Sequence, residues 1–225
     1  MTTASAWLRR TAWRGLIAGV LLALAARGAA GDCEPVNAGN DTIGWNTVRT
    51  TFLGEAVGQT FYAFDTLVTR ITVWRPPNDP LGAIGNRLFV TTVDSTIFHP
   101  REPNTRNILQ NGPTVFVLDS DPPGLPIQMD YILDPPLALP GPGTYAFFIQ
   151  REGCDAGTTP IVAKEPGTYS HGVVWYTGRT TTLPCALMPT WAWEDLDFCF
   201  EMEFCRTATT PVHRQSWGRL KVIYR

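Results

Sequence analysis

The chain has 225 residues, 44% hydrophobic, 11% aromatic and 17% charged, with 20 Gly and 19 Pro. The charged share falls below the roughly 25% usual for soluble domains. So many apolar residues exclude a disordered chain, and the frequent Pro and Gly exclude one built on long helices. The net charge of -2 is a cancellation. Residues 1–31 carry four arginines and no acid (+4), residues 32–206 carry 20 acids and 10 bases (-10), and residues 207–225 carry four bases and no acid (+4). An acidic body argues against nucleic acid and anionic membranes as partners.

The N-terminal segment has the parts of a secretory signal. A basic start ends at Arg14, an apolar run extends from Gly15 to Ala26, and the small residues Gly28-Ala29-Ala30-Gly31 follow. Twelve apolar residues span about 18 Å as a helix, against a hydrocarbon core of roughly 30 Å. A cleaved leader over 1–31 is therefore expected, with no transmembrane segment left after cleavage. The partner implied here is the export machinery, and the destination is the exterior or the cell surface. Arg9-Arg10 also fits a twin-arginine route. Asp32 stands before Cys33, which argues against lipid anchoring.

Exported cysteines are expected to pair, and the mature chain has five: Cys33, Cys154, Cys185, Cys199 and Cys205. No CxxC pair favours zinc. The run Leu196–Cys205 alternates apolar and other residues, so it reads as a strand with one buried face. Six residues of strand separate Cys199 from Cys205 by about 20 Å. Disulfide Cα atoms lie within roughly 7 Å, so these two are not partners of each other. Each then needs a partner among the other three. Cys185 is expected to meet Cys199 or Cys205 rather than Cys154, which leaves two bridges and one thiol.

From Ala56 onward, short strand-like runs are cut by turn residues. The candidates are 57–64, 67–74, 87–93, 114–118, 127–133, 144–150, 173–176 and 196–205. Between them lie Arg75-Pro76-Pro77-Asn78-Asp79-Pro80, Asp121-Pro122-Pro123-Gly124 and Leu139-Pro140-Gly141-Pro142-Gly143. Proline fixes φ and removes a donor, so such runs end a ladder. No mature segment sustains a helical apolar period. An all-β, two-sheet, jelly-roll-like β-sandwich of about eight to ten strands over 32–206 is predicted.

Several segments carry a resemblance: Gly58-Gln59-Thr60-Phe61, Ile71-Thr72-Val73-Trp74, the hairpin Leu137–Phe147 and the closing Asp195-Leu196-Asp197-Phe198. The stretch from about Asp41 to Cys205 resembles bacterial exported choice-of-anchor domains, which are similar in shape to carbohydrate-binding modules. The resemblance implies a sandwich fold and export, and carries no shared catalytic residue. The four later cysteines fall outside its pattern.

Catalytic signals are sparse. Ser170 and His171 are neighbours, so in an extended segment they face opposite sides. No GxSxG or HExxH motif is present. No catalytic residue is assigned, and a secreted hydrolase stays the weaker alternative. Acidic pairs occur at Asp119/Asp121 and at Asp195/Asp197 beside Glu194. A solvated strand edge is their ordinary reading. The resemblance adds a structural calcium held by Asp195 and Asp197 as the one cofactor to consider.

Aromatics are the better ligand signal. Sugar rings stack on flat side chains while polar neighbours bond their hydroxyls. Trp191-Ala192-Trp193 puts two indoles on one side of an extended segment, with acids following. Trp74, Arg75 and Asp79 form a second candidate at the Pro-rich loop, although tryptophans such as Trp74 and Trp175 also serve as core. The tail follows a Thr- and Pro-bearing spacer at 207–212. Its Trp217, Lys221, Tyr224 and Arg225 resemble short C-terminal sorting tails of exported bacterial proteins. The function expected is a non-enzymatic exported module that binds a glycan or cell-envelope component. The alternative is a structural surface or matrix protein with no small ligand.

Overall fold

The alternating runs above need partners on both edges and cover on at least one face. The computed structural model describes residues 34–206, apart from 41, 43, 51–54, 78–84, 95–100, 117–124, 154–159, 181 and 183–184. The leader, Cys33, Asp79, Asp119, Asp121, Cys154, the spacer and the tail residues Trp217, Lys221, Tyr224 and Arg225 lie outside the described residues. Pro35–Arg206 packs as one compact unit.

The described residues hold no helix and thirteen strands. These are β1 (Glu34–Asn40), β2 (Thr47–Thr50), β3 (Ala56–Ala63), β4 (Leu67–Arg75), β5 (Gly85–Asp94), β6 (Glu102–Phe116) and β7 (Ile127–Ala138). They continue with β8 (Gly143–Arg151), β9 (Pro160–Lys164), β10 (Val174–Thr177), β11 (Thr190–Trp193), β12 (Asp197–Phe198) and β13 (Phe200–Arg206). They form a six-stranded sheet β11-β10-β3-β8-β5-β6, a four-stranded sheet β1-β13-β4-β7 and a three-stranded sheet β12-β9-β2. Side chains from all three sheets meet in one core, as in a β-sandwich.

The inner strands of the six-stranded sheet are buried on both faces, and strand parity shows how. Val57, Phe61, Leu88, Val90, Tyr145, Phe147, Ile149 and Val174 point into the shared core with Ile71, Tyr131, Phe198, Phe200 and Phe204. Their neighbours Ala56, Phe89, Ala146, Phe148 and Trp175 point the other way, into a second cluster closed by Leu187. Side chains of a strand alternate between faces, so cover on both sides turns alternation into a continuous apolar run. That accounts for Tyr145-Ala146-Phe147-Phe148-Ile149, buried at every position. Trp175 is core, the ordinary reading of such a tryptophan. Gly58 sits opposite Phe148 on β8. A Cβ there would lie 1.9 Å from the Phe147 carbonyl oxygen and 2.7 Å from the Phe148 ring, so only glycine allows this approach.

The closing segment departs from the one-strand expectation. Residues 196–206 belong to two sheets, with β12 on β9 and β13 on β4. The break falls at Cys199, whose N–H donates to the Val162 carbonyl at 3.0 Å. Everything from Leu196 to Phe200 is buried, on both sides of the chain. The expectation that Cys199 joins a disulfide is corrected here: it is a thiol enclosed in the interior. A Cys185–Cys199 bridge is excluded with it. Cys185 and Cys205 each take part in a disulfide.

Tyr131 of β7 is fully buried between the sheets, and its hydroxyl has no hydrogen-bond partner. Burial pushes its phenol far above the ordinary range. An unsatisfied buried hydroxyl costs about 1–3 kcal/mol, whereas an apolar group of the same shape costs nothing comparable. Tyr131→Phe is therefore expected to raise unfolding stability by about 1 kcal/mol in urea denaturation. A loss of stability would mean that the hydroxyl is bonded in solution.

Candidate functional site

The first structural question is what holds the segment before β12. On β3, Gln59 is fully buried. Its Nε2 donates to Asp197 Oδ1 at 2.9 Å, and its Oε1 accepts from the Phe198 N–H at 2.6 Å. The Tyr169 N–H donates to Asp197 Oδ2 at 2.5 Å, and the Thr168 backbone bonds the same carboxyl. The Gly167 N–H donates to the Asp195 carbonyl at 2.9 Å. A Cβ on Gly167 would lie 2.6 Å from Asp197 Oδ2, so glycine makes room for this network. Asp197 is thus turned inward and 3% exposed, while Asp195 remains exposed in the turn after β11. The two candidate calcium ligands are split between interior and surface. Among the described residues no group of three or more His, Cys, Asp or Glu is placed to hold a metal.

With that turn fixed, β11 lies along β10 at the edge of the six-stranded sheet. The register sets Trp191 opposite Tyr176 and Trp193 opposite Val174. Trp191 and Trp193 share a face, as the i, i+2 spacing predicts, and are 50% and 38% exposed. Trp191 stacks on Tyr176 with ring centroids 5.7 Å apart and planes at 23°. Arg49 reaches across from β2 of the three-stranded sheet. Its guanidinium carbon lies 4.1 Å from the Trp193 ring centroid and 5.3 Å from that of Tyr176. The result is a ladder of Trp191, Tyr176, Arg49 and Trp193. A cation over an aromatic face contributes about 0.5–2 kcal/mol, more where water is excluded. The Arg49 Nε is buried without a hydrogen-bond partner, so this cation is held by ring faces.

A groove of about 530 Å³ adjoins the ladder, lined by Asn46, Thr47, Glu165, Pro166 and Asp195. Asn46 extends the β2–β9 pairing by one step. Its Nδ2 donates to the Glu165 carbonyl at 2.6 Å, and its Oδ1 accepts from the Glu165 N–H at 2.9 Å.

The second predicted site does not join the first. Trp74 and Arg75 end β4 in the four-stranded sheet, where Trp74 is half-buried and Arg75 is 8% exposed. Arg75 is withdrawn from the surface it was expected to present. Sequence reasoning missed Arg49, Tyr176, Asn46, Thr47 and Glu165. The strand candidate 173–176 contained Tyr176 without marking it, and nothing near Thr47–Thr50 pointed to the indoles. No family model matches the chain, and no curated protein matches it.

Burial raises the Asp197 pKa above its ordinary 3.8, against the lowering effect of the Tyr169, Thr168 and Gln59 donors and of the Lys164 charge. A carboxyl raised on folding holds its proton more tightly in the native state, so its contribution is complete below pH 3.8. That contribution is lost as pH rises through the folded-state value. Asp197→Asn leaves one acceptor oxygen where the carboxyl has two, so its NH2 faces either Gln59 Nε2 or the Tyr169 N–H, and the change is expected to cost about 1–3 kcal/mol. In urea titrations across a pH series, the advantage of the native chain over this variant should shrink as pH rises. A gap that widens with pH would contradict the sign.

Proposed function

We propose that residues 32–206 form a non-enzymatic, jelly-roll-like module of the choice-of-anchor type, exported to the cell exterior or surface, which binds a glycan on the Trp191/Trp193 edge. The observation that carries this reading is the pair of exposed indoles held beside each other on one face of an edge strand. Large aromatics left in water at a rigid edge mark contact surfaces more often than scattered apolar residues do. A pyranose offers an apolar CH face to such a ring and hydroxyls to the polar groups around it. Arg49 limits the motion of Trp193, and Tyr176 that of Trp191, so little side-chain entropy remains to be lost on binding. The disulfides that Cys185 and Cys205 each enter support an oxidising destination, and the leader-like segment points the same way. The basic, aromatic tail then serves as a sorting or attachment address.

A pull-down of the chain on insoluble and immobilised polysaccharides tests this directly. Retention on at least one polymer is expected, with Trp191→Ala and Trp193→Ala each weakening it about tenfold, or ~1.4 kcal/mol. Cooperative unfolding in urea should be retained in both variants. Absence of retention on every polymer, or retention that ignores both substitutions, would refute the reading.

A further inference from the structure

We infer that the glycan site continues from the aromatic ladder into the adjoining groove and takes an uncharged chain of at least two sugar rings; this rests on the glycan reading above. Two chain segments join ladder to groove. On β2, Thr47 lines the groove and Arg49 enters the ladder, two residues apart and hence on one face. On the other wall, Asp195 lines the groove two residues after Trp193. The volume of about 530 Å³ falls within the range of small-ligand sites.

The polar groups of the groove divide into used and unused. The Asn46 amide is consumed by the Glu165 backbone. That pair of hydrogen bonds fixes the Glu165 backbone at the groove, which Glu165 lines. The carboxylates of Glu165 and Asp195 have no hydrogen-bond or ion-pair partner among the described residues. An ionised carboxylate only accepts, with two oxygens, so it matches the hydroxyl donors of a sugar ring. Pro166 supplies an apolar wall beside them. Thr47 adds a hydroxyl that donates or accepts.

Charge narrows the ligand class. Two acids in the groove, within a body of net charge -10, oppose a uronate or a sulfated sugar. Arg49 opposes an ammonium-bearing sugar at the rings it covers. An uncharged, hydroxyl-rich ring meets neither penalty. One ring on the indoles therefore leaves the groove to the next ring along the chain.

The test is calorimetry of the full chain with cello-, xylo- and laminari-oligosaccharides of one to six units, and with polygalacturonate. For the series that binds, affinity should rise at least tenfold between one unit and three. Glu165→Ala and Asp195→Ala should each remove most of that gain, and polygalacturonate should not bind. The extension is overturned if affinity ignores length or if both variants keep the gain. It is equally overturned if polygalacturonate binds as well as the neutral series, or if EDTA abolishes binding, since the carboxylates would then hold a cation. Should no oligosaccharide of any length bind, the glycan reading itself falls. Should Trp191→Ala abolish binding while the groove variants change nothing, the glycan reading stands and the groove is no part of it.

Discussion

Gln59 ties two sheets together through a reciprocal pair of buried hydrogen bonds, to the Asp197 carboxyl and from the Phe198 N–H. Most of what distinguishes this molecule follows from that contact. A side-chain amide both donates and accepts, so it docks β12 in one register and rejects a slip by one residue. From this point the chain diverges. Upstream it runs through the Glu194–Asp195 turn into the edge of the six-stranded sheet; downstream it passes Cys199 into the four-stranded sheet. Residues 190–206 therefore visit all three sheets in succession. Burying the Asp197 carboxyl is costly, and its donors offset that cost only while every one of them is in place.

The outer edge inherits its properties from this docking. β10 and β11 are short, and at β11 the facing sheet supplies Arg49 rather than a wall of apolar side chains. Trp193 and Trp191 are consequently left partly in water, which is unusual for residues of their size. The Arg49 guanidinium keeps them ordered without closing the site. An aromatic edge that is both exposed and rigid is the condition a stacking ligand requires.

The sequence made the fold class and the indole pair readable, because both depend on local spacing. Alternation located the strands now labelled β3, β4, β5, β7, β8 and β10 within one or two residues, β7 continuing further to Ala138. It missed the short strands β2, β9 and β11, whose four or five residues establish no period, although it found the equally short β10. Most of β6 escaped for another reason: Glu102–Phe116 is largely polar and partly exposed, so it shows no apolar face. Parity misled at Leu196–Phe200, where cover on both sides buries Asp197 and Cys199 along with the phenylalanines. The candidate site was half legible for the same reason. Trp191 and Trp193 are two residues apart, but Asn46 and Glu165 are separated by 119 positions, and only the folded topology sets Arg49 over Trp193.

The most direct measurement of the central claim is a nuclear magnetic resonance titration that follows the indole N–H signals as a neutral hexasaccharide is added. The account predicts that the Trp191 and Trp193 signals shift progressively and saturate together, while that of buried Trp175 does not move. Shifts confined to Trp74, or no shift with any neutral hexasaccharide of the three series, would contradict it.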